Sequence, residues 1–326
     1  MTLRIAAILC GASAVLGAQS FTYTKGQNIA PAYEGWEQGA DGAKYFLFGY
    51  MNRNWEEEID VPVGPENGFA VTPGRGGAPG LKEDQGQPTH FLPRRNRFVF
   101  RVKVPATFTE KDELIWTLTT HGKTEKAYAT LRPDYIVDNV VIASETGALG
   151  AGTSSPEMRS NKAPLIKIDE LQSRNVKTAS WVALNAVVKD DGIPKRRTPS
   201  FAALGRASQL AAENPALAAQ LRNPSMSPPS RITVGKVNGL HTSWFVYRQP
   251  VGATVTFDPP QIKPWEDTRA GMNSPWAPLW TPPQIPADGK QPVSVTFSQP
   301  GTYILRCRAD DGALYGDDEV TIVVSK

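Results

Sequence analysis

From residue 97 to 104 the chain alternates side chains with a period of two. Phe98, Phe100, Val102 and Val104 fall on one face, and Arg97, Arg101 and Lys103 on the other. A β-strand with one dry face serves such a pattern; a helix would smear it around its axis. Leu114, Trp116 and Leu118 repeat the period, as do Ala127, Ala129 and Leu131. Tyr45 to Met51 is apolar on both faces, which predicts a central strand. Clusters at Pro62-Val63-Gly64-Pro65 and from Gly74 to Gly80 mark loops between strands. No helical period is visible in this half. The 28 glycines and 28 prolines of the 326-residue chain fit an architecture rich in turns and poor in long helices.

The C-terminal half is more regular still. Val182, Leu184, Ala186 and Val188 alternate, then Asp190-Asp191-Gly192 turns the chain. Trp244 and Val246 start another strand, and Val255 and Phe257 follow. Val293, Val295 and Phe297 lead to a Pro300-Gly301 turn. Tyr303, Leu305, Cys307 and Ala309 come next and end at Asp310-Asp311-Gly312, and Val320, Ile322 and Val324 close the chain. Each strand carries one apolar and one polar face, as two packed antiparallel sheets require.

These residues carry a resemblance. Asn185-Ala-Val-Val-Lys-Asp-Asp-Gly, Ser243-Trp-Phe-Val, Val255-Thr-Phe, Pro300-Gly-Thr-Tyr-Ile-Leu-Arg-Cys-Arg-Ala-Asp-Asp-Gly and Glu319-Val-Thr-Ile-Val-Val are similar to the PKD-type immunoglobulin-like domains of bacterial surface proteins. The likeness covers about half of the mature chain. The PKD signature Trp-Asp-Phe-Gly-Asp-Gly is absent, so it points to the broader immunoglobulin-like group. It implies a fold; sandwiches host many roles, so it implies no activity. The whole chain also resembles exported bacterial proteins, which adds no mechanism.

The expected fold is therefore all-β: two β-sandwich-type domains, the C-terminal one immunoglobulin-like. The expected boundaries are a signal peptide at 1–18, an N-terminal sandwich at 26–140, a small and polar linker at 141–163, and the immunoglobulin-like domain at 164–326. Two insertions enlarge that domain. In 193–241, Thr198-Pro199 offers an N-cap with proline at N1, and Phe201, Leu204, Ala207 and Ala211 form a stripe. Asn214-Pro215 repeats the signal before Leu217 and Leu221, so a short helical pair is predicted there. The second insertion, 259–291, leaves a strand expected to be C′ and holds Trp265, Trp276 and Trp280 among many prolines.

The N-terminus reads as a targeting segment. Arg4 precedes an apolar run from Ile5 to Leu16, and Gly17-Ala18-Gln19-Ser20 supplies small residues for cleavage. The run is shorter than the ~20 residues a membrane span needs. Cleavage places the protein in the periplasm or outside the cell, with no transmembrane segment left. Cys10 would depart with the signal, leaving Cys307 as the single cysteine and no intramolecular disulfide. Cys307 alternates with Leu305, which predicts a small core residue. The formal charge of +3, from 35 basic and 32 acidic residues, gives no electrostatic footprint for nucleic acid.

Several residue groups could carry function. In an immunoglobulin-like order, Asp190 and Asp191 close strand B, and Asp310 and Asp311 close strand F at the same end. Four carboxylates could converge there, and hard oxygen ligands suit calcium. The alternative is two tight Asp-Asp-Gly turns, in which aspartate accepts from its own backbone and glycine takes positive φ. Trp265, Trp276 and Trp280 could form a platform for a sugar ring or peptide, or could simply bury themselves against proline. The basic cluster Lys195-Arg196-Arg197 stands at the same pole. Glu56-Glu57-Glu58 with Asp60 reads as a solvated strand edge. His90, His121 and His241 have no partners at metal-ligand spacing, and no hydrolase, metalloprotease or phosphate-loop motif occurs. The expected function is an exported, non-enzymatic binding or structural protein without a cofactor. Its partner would be a protein or glycan outside the cytoplasm. The alternative is an accessory carbohydrate-binding protein that uses the tryptophan loop.

Overall fold

The computed structural model describes residues 24–72, 82–145, 156–169, 175–195, 239–261 and 285–326. The expected signal segment, most of the first insertion with its helical pair, and residues 262–284 of the second lie outside these.

Two sandwiches are present. The N-terminal one holds β1 (Ile29–Gln38), β2 (Lys44–Asn52), β3 (Ile59–Asp60), β4 (Asn67–Thr72), β5 (His90–Phe91), β6 (Arg94–Lys103), β7 (Glu113–Thr120) and β8 (Lys123–Ala129). One sheet has the order β1-β2-β6 and the facing one β4-β7-β8, with a small β3-β5 pair beside them. The apolar strand β2 is central, as its two-faced pattern predicts. The β7–β8 hairpin turns at His121-Gly122, both with positive φ, which a two-residue turn between right-twisted strands favours. Aromatic rings fill the core: Phe48 stacks on Phe100 at 5.4 Å and meets Trp116 edge-on at 5.8 Å.

Phe98 departs from the sequence pattern. Phe100, Val102 and Val104 share the core, but Phe98 does not. The β2–β6 register jumps from Phe48↔Phe100 to Tyr50↔Asn96, so residues 97–99 stand opposite Gly49. Phe98 takes a φ of 49° within this bulge. The two extra residues turn Phe98 out of the core, into a cluster with Leu47, Val137, Ile142, Ala313 and Leu314, and give its place to Val99. Gly49 makes the close approach possible: a Cβ there would lie 2.5 Å from the carbonyl oxygen of Asn96.

Two short helices follow, α1 (Asn139–Glu145) and α2 (Pro156–Arg159), within and beside the stretch expected to be a linker. Ile142 and Ala143 of α1 are buried in the Phe98 cluster.

The C-terminal sandwich holds β9 (Leu165–Ile168), β10 (Asn175–Lys177), β11 (Val182–Lys189), β12 (His241–Arg248), β13 (Val255–Asp258), β14 (Lys290–Phe297), β15 (Gly301–Asp310) and β16 (Tyr315–Ser325). Its sheets run β13-β14-β11-β9 and β10-β16-β15-β12. In letters these are D-E-B-A and A′-G-F-C, an immunoglobulin-like order, with β10 parallel to β16. The sequence reading places the second insertion after a C′ strand. The structure corrects this: β13 pairs with β14 in the B-strand sheet, so it is strand D. The core gathers Leu184, Trp244, Val295, Phe297, Tyr303, Leu305, Cys307 and Ile322. Cys307 is fully buried, as its alternation predicts, and burial raises its thiol pKa well above the ordinary range.

The outer face of β12 and of β15 from Arg306 to Asp310 is withdrawn from solvent, while Asp317, Glu319 and Val323 on that face of β16 stay exposed. The withdrawn part packs on the N-terminal sandwich, and Phe245 and Tyr247 join that sandwich's core. Arg306 and Arg308 point the same way and are only 6% and 8% exposed. Arg308 forms a two-pronged pair with Asp317 at 2.7 Å and donates to the Phe98 carbonyl at 3.0 Å. Arg306 pairs with Glu319, donates to the Val99 carbonyl, and lies over the Tyr247 ring at 3.7 Å. The bulge thus exposes carbonyls that two buried guanidiniums need.

A second seam follows the free edge of β12. The Thr89 amide donates to the Tyr247 carbonyl at 3.2 Å, and Arg248 donates to the Gln87 carbonyl and forms a two-pronged pair with Asp84. Below it, Asp60 accepts from the Gly252 amide at 2.9 Å and from Gln249. Its other contact is His90 Nδ1 at 2.8 Å, and His90 Nε2 lies 3.2 Å from Glu58. The acidic run at 56–60 is therefore not simply a solvated edge; two of its members hold a buried histidine. Burial disfavours the imidazolium, but the two carboxylates outweigh it and push the His90 pKa up to about 9.

Candidate functional site

Strand polarity decides which loops share an end. β11 runs up to the first insertion and β12 runs back from it. β14 is antiparallel to β11 and β13 to β14, so β13 ends, and β14 begins, at that same end. β15 pairs antiparallel with β12, with His241 opposite Asp310. The described ends of both insertions and the β15–β16 turn thus share one pole. Lys195 is exposed there. Arg196, Arg197, Trp265, Trp276 and Trp280 lie outside the described residues.

The aspartates of this pole act as turn acceptors. Asp190 Oδ2 accepts from the Gly192 amide at 2.9 Å, and Asp191 Oδ1 from the Ile193 amide at 2.9 Å. Asp310 Oδ1 accepts from the Gly312 amide, and Asp311 Oδ1 from those of Ala313 and Leu314, at 2.6–2.7 Å. Gly192 and Gly312 both have positive φ, which completes the turns. Two neighbouring residues tie the turns together: the Asn161 amide group donates to Asp311 Oδ2 at 3.1 Å, and the Lys162 backbone to Asp191 Oδ2 at 3.0 Å. Burial raises Asp311 to about 7, against the pull of its backbone and Asn161 donors. Among the described residues, no group of three or more His, Cys, Asp or Glu side chains is placed to hold a metal ion. The convergence expected of the four carboxylates takes the form of two turns stapled through 161–162.

A second feature was not expected. A cleft of about 490 Å³ separates the outward face of the β1-β2-β6 sheet from the β15–β16 hairpin. Glu37 and Arg101 form one lip, and Arg306, Tyr315 and Asp317 the opposite wall; Phe98, Ile142 and Leu314 line the floor. Tyr315 stacks on Phe98 across the two sandwiches, with centroids 6.2 Å apart. The side chains of Glu37, Asp317 and Arg101 are 29%, 21% and 62% exposed. One sequence signal could have pointed here. Arg306 and Arg308 face outward on a strand whose inward residues are all apolar, and Glu319 and Asp317 stand directly opposite them. Cross-strand charge complementarity on a polar face is a legible pattern. That this face meets another sandwich is not.

No family model and no curated protein matches the chain. Among solved structures it is similar to the D00-D0 domain of intimin, at 8% identity and a TM-score of 0.22, covering 91% of this chain and 100% of that one. It is also similar to an S-layer protein, at 8% identity and a TM-score of 0.23, covering 92% of this chain and 28% of that one. A chimeric titin Z1Z2 matches at 10% identity and a TM-score of 0.21, covering 92% and 99%. Likenesses at these scores carry no argument about function. The immunoglobulin-like assignment rests on the strand order itself.

Proposed function

We propose that this protein is an exported, non-enzymatic binding or structural protein whose immunoglobulin-like scaffold presents a loop pole to its partner. The observation that carries the reading is the strand order, which sends the connections after β11, β13 and β15 to one end. Rigid sandwiches that gather loops at one end use them for recognition. The binding residues in this reading are Trp265, Trp276 and Trp280 with Lys195, Arg196 and Arg197. The partner is a protein or glycan outside the cytoplasm. Export is supported by the charged, apolar and small-residue order of positions 1–20. Among the described residues no helix is long and apolar enough to cross a membrane.

The test replaces Trp265, Trp276 and Trp280 together with alanine and measures binding to isolated cell envelopes beside the wild type. Loss of binding with an unchanged melting temperature is expected. Full binding by the folded triple variant rejects the tryptophan surface. Intact mass of the native protein checks export, and a chain that still begins at Met1 rejects cleavage. A rise in melting temperature with millimolar calcium would restore the aspartates as ligands; no shift removes them.

A further inference from the structure

We infer that the cleft between the two sandwiches, which reaches the β15–β16 turn but holds none of the three loop tryptophans, is a binding site for a neutral saccharide. It lies where the sandwiches meet, a favoured place for ligand sites, and its 490 Å³ is within the range of about 300–1,000 Å³ that such sites occupy. Its charges are of both signs and are already matched within the protein. Arg101 pairs with Glu37 at 3.4 Å. Arg306 lies 3.6 Å from Asp317 and pairs with Glu319, and Arg308 pairs with Asp317. An anionic or cationic ligand would have to break one of these pairs to find a counter-charge, leaving a partly buried partner unmatched. A neutral polyol does not.

The matched pairs keep hydrogen-bonding capacity to spare. A carboxylate offers about four lone-pair sites and a guanidinium five N–H donors, more than one mutual contact uses. Hydroxyl groups both donate and accept, so one sugar ring can address Glu37 and Arg101 together. Asn139, exposed on α1 at the rim, adds a donor and an acceptor. The floor suits the other side of a pyranose. Phe98, Ile142 and Leu314 are almost fully buried, and Phe98 and Tyr315 stack on each other, so together they line the floor as a narrow apolar strip. The cleft thus offers planar polar groups at its lips, an apolar floor and no surplus charge.

The experiment uses the full mature chain and saturation-transfer NMR. The probes are maltotriose and chitotriose, with sialyllactose as a charged control and triglycine as a peptide control, all at millimolar concentration. Saturation transfer to at least one neutral trisaccharide is expected. The double variant Arg101→Ala and Asn139→Ala alters two exposed side chains and should keep the melting temperature. It should weaken that binding about tenfold or more, the effect of losing hydrogen bonds to a charged group. The Trp265, Trp276 and Trp280 alanine variant should bind the trisaccharide as the wild type does. Transfer to neither trisaccharide, transfer only to a control, or binding that survives the cleft variant overturns the proposal. Binding lost in the tryptophan variant but kept in the cleft variant overturns it too, and moves the sugar to the pole. Envelope binding through the pole is a separate measurement, so either reading can fail alone.

Discussion

The two faces of β15 do different work. Inward, Tyr303, Leu305, Cys307 and Ala309 are fully buried, held by apolar packing apart from the Tyr303 hydroxyl, which donates to the Gln299 carbonyl at 2.7 Å. Outward, Arg306 and Arg308 are almost as buried, yet each is charged and held by acids of β16, a tyrosine ring and carbonyls of the β6 bulge. The inner face stabilises by removing hydrocarbon from water. The outer face gains less from burial, since desolvated charges offset much of their own attraction. It contributes specificity instead: only a partner with free carbonyls at the right spacing can meet two guanidiniums. One strand therefore builds its own sandwich with one face and selects the other sandwich with the opposite face.

Substitutions can break this contrast. Arg308→Ala should have the largest effect, about 3–5 kcal/mol, because it leaves Asp317 without its main partner. Chemical denaturation measures it. The double variant Arg308→Met with Asp317→Leu should recover most of that loss, since no unmatched charge remains. No recovery would mean that the carbonyl contacts, not the charge pair, dominate.

Leu305→Ala on the inner face should cost about 2–5 kcal/mol through the cavity it leaves. No second substitution nearby should restore it by charge matching. A loss below 1 kcal/mol would show that the core collapses around the gap.

His90 gives the contrast a pH dependence. Its folded pKa is raised from 6.5 to about 9, so its contribution is complete below the unfolded value and is lost as pH rises through about 9. Stability of the wild type should fall by a few kcal/mol between pH 6.5 and 10, and His90→Gln should flatten that fall. Hydrogen exchange at the Gly252 amide, which Asp60 accepts, should quicken over the same window. A wild-type profile as flat as the variant's would show that the imidazolium adds nothing to the seam.

The smallest effect belongs to the solvated end of that seam. Asp84 is 53% exposed, and its carboxyl is held down to about 2, mainly by Arg248. Asp84→Asn should cost about 0.2–1 kcal/mol, as exposed pairs do, and less in high salt. A loss of 2 kcal/mol or more would mean the seam behaves as part of the interior.

The all-β class, the central position of β2, the inward set of β15 and the two Asp-Asp-Gly turns were legible in the sequence. Each follows from interactions between near neighbours in the chain: side-chain alternation, and aspartate accepting from amides two or three residues on. What the tertiary structure decided is of another kind. Period two says that Phe98 should join Phe100, but a bulge opposite Gly49 sends it elsewhere, because strand pairing and not alternation sets register. β13 read as C′ and is D, since four residues with two faces do not say which sheet they will join. Arg306 and Arg308 stand on the polar face of their strand and are buried, and Asp60 read as a solvated edge and holds a histidine between the sandwiches. The cleft with Tyr315 and Asp317 was invisible for the same reason. Alternation records that a face is polar; whether water or another sandwich meets it depends on residues about 200 positions away, and only folding brings those together.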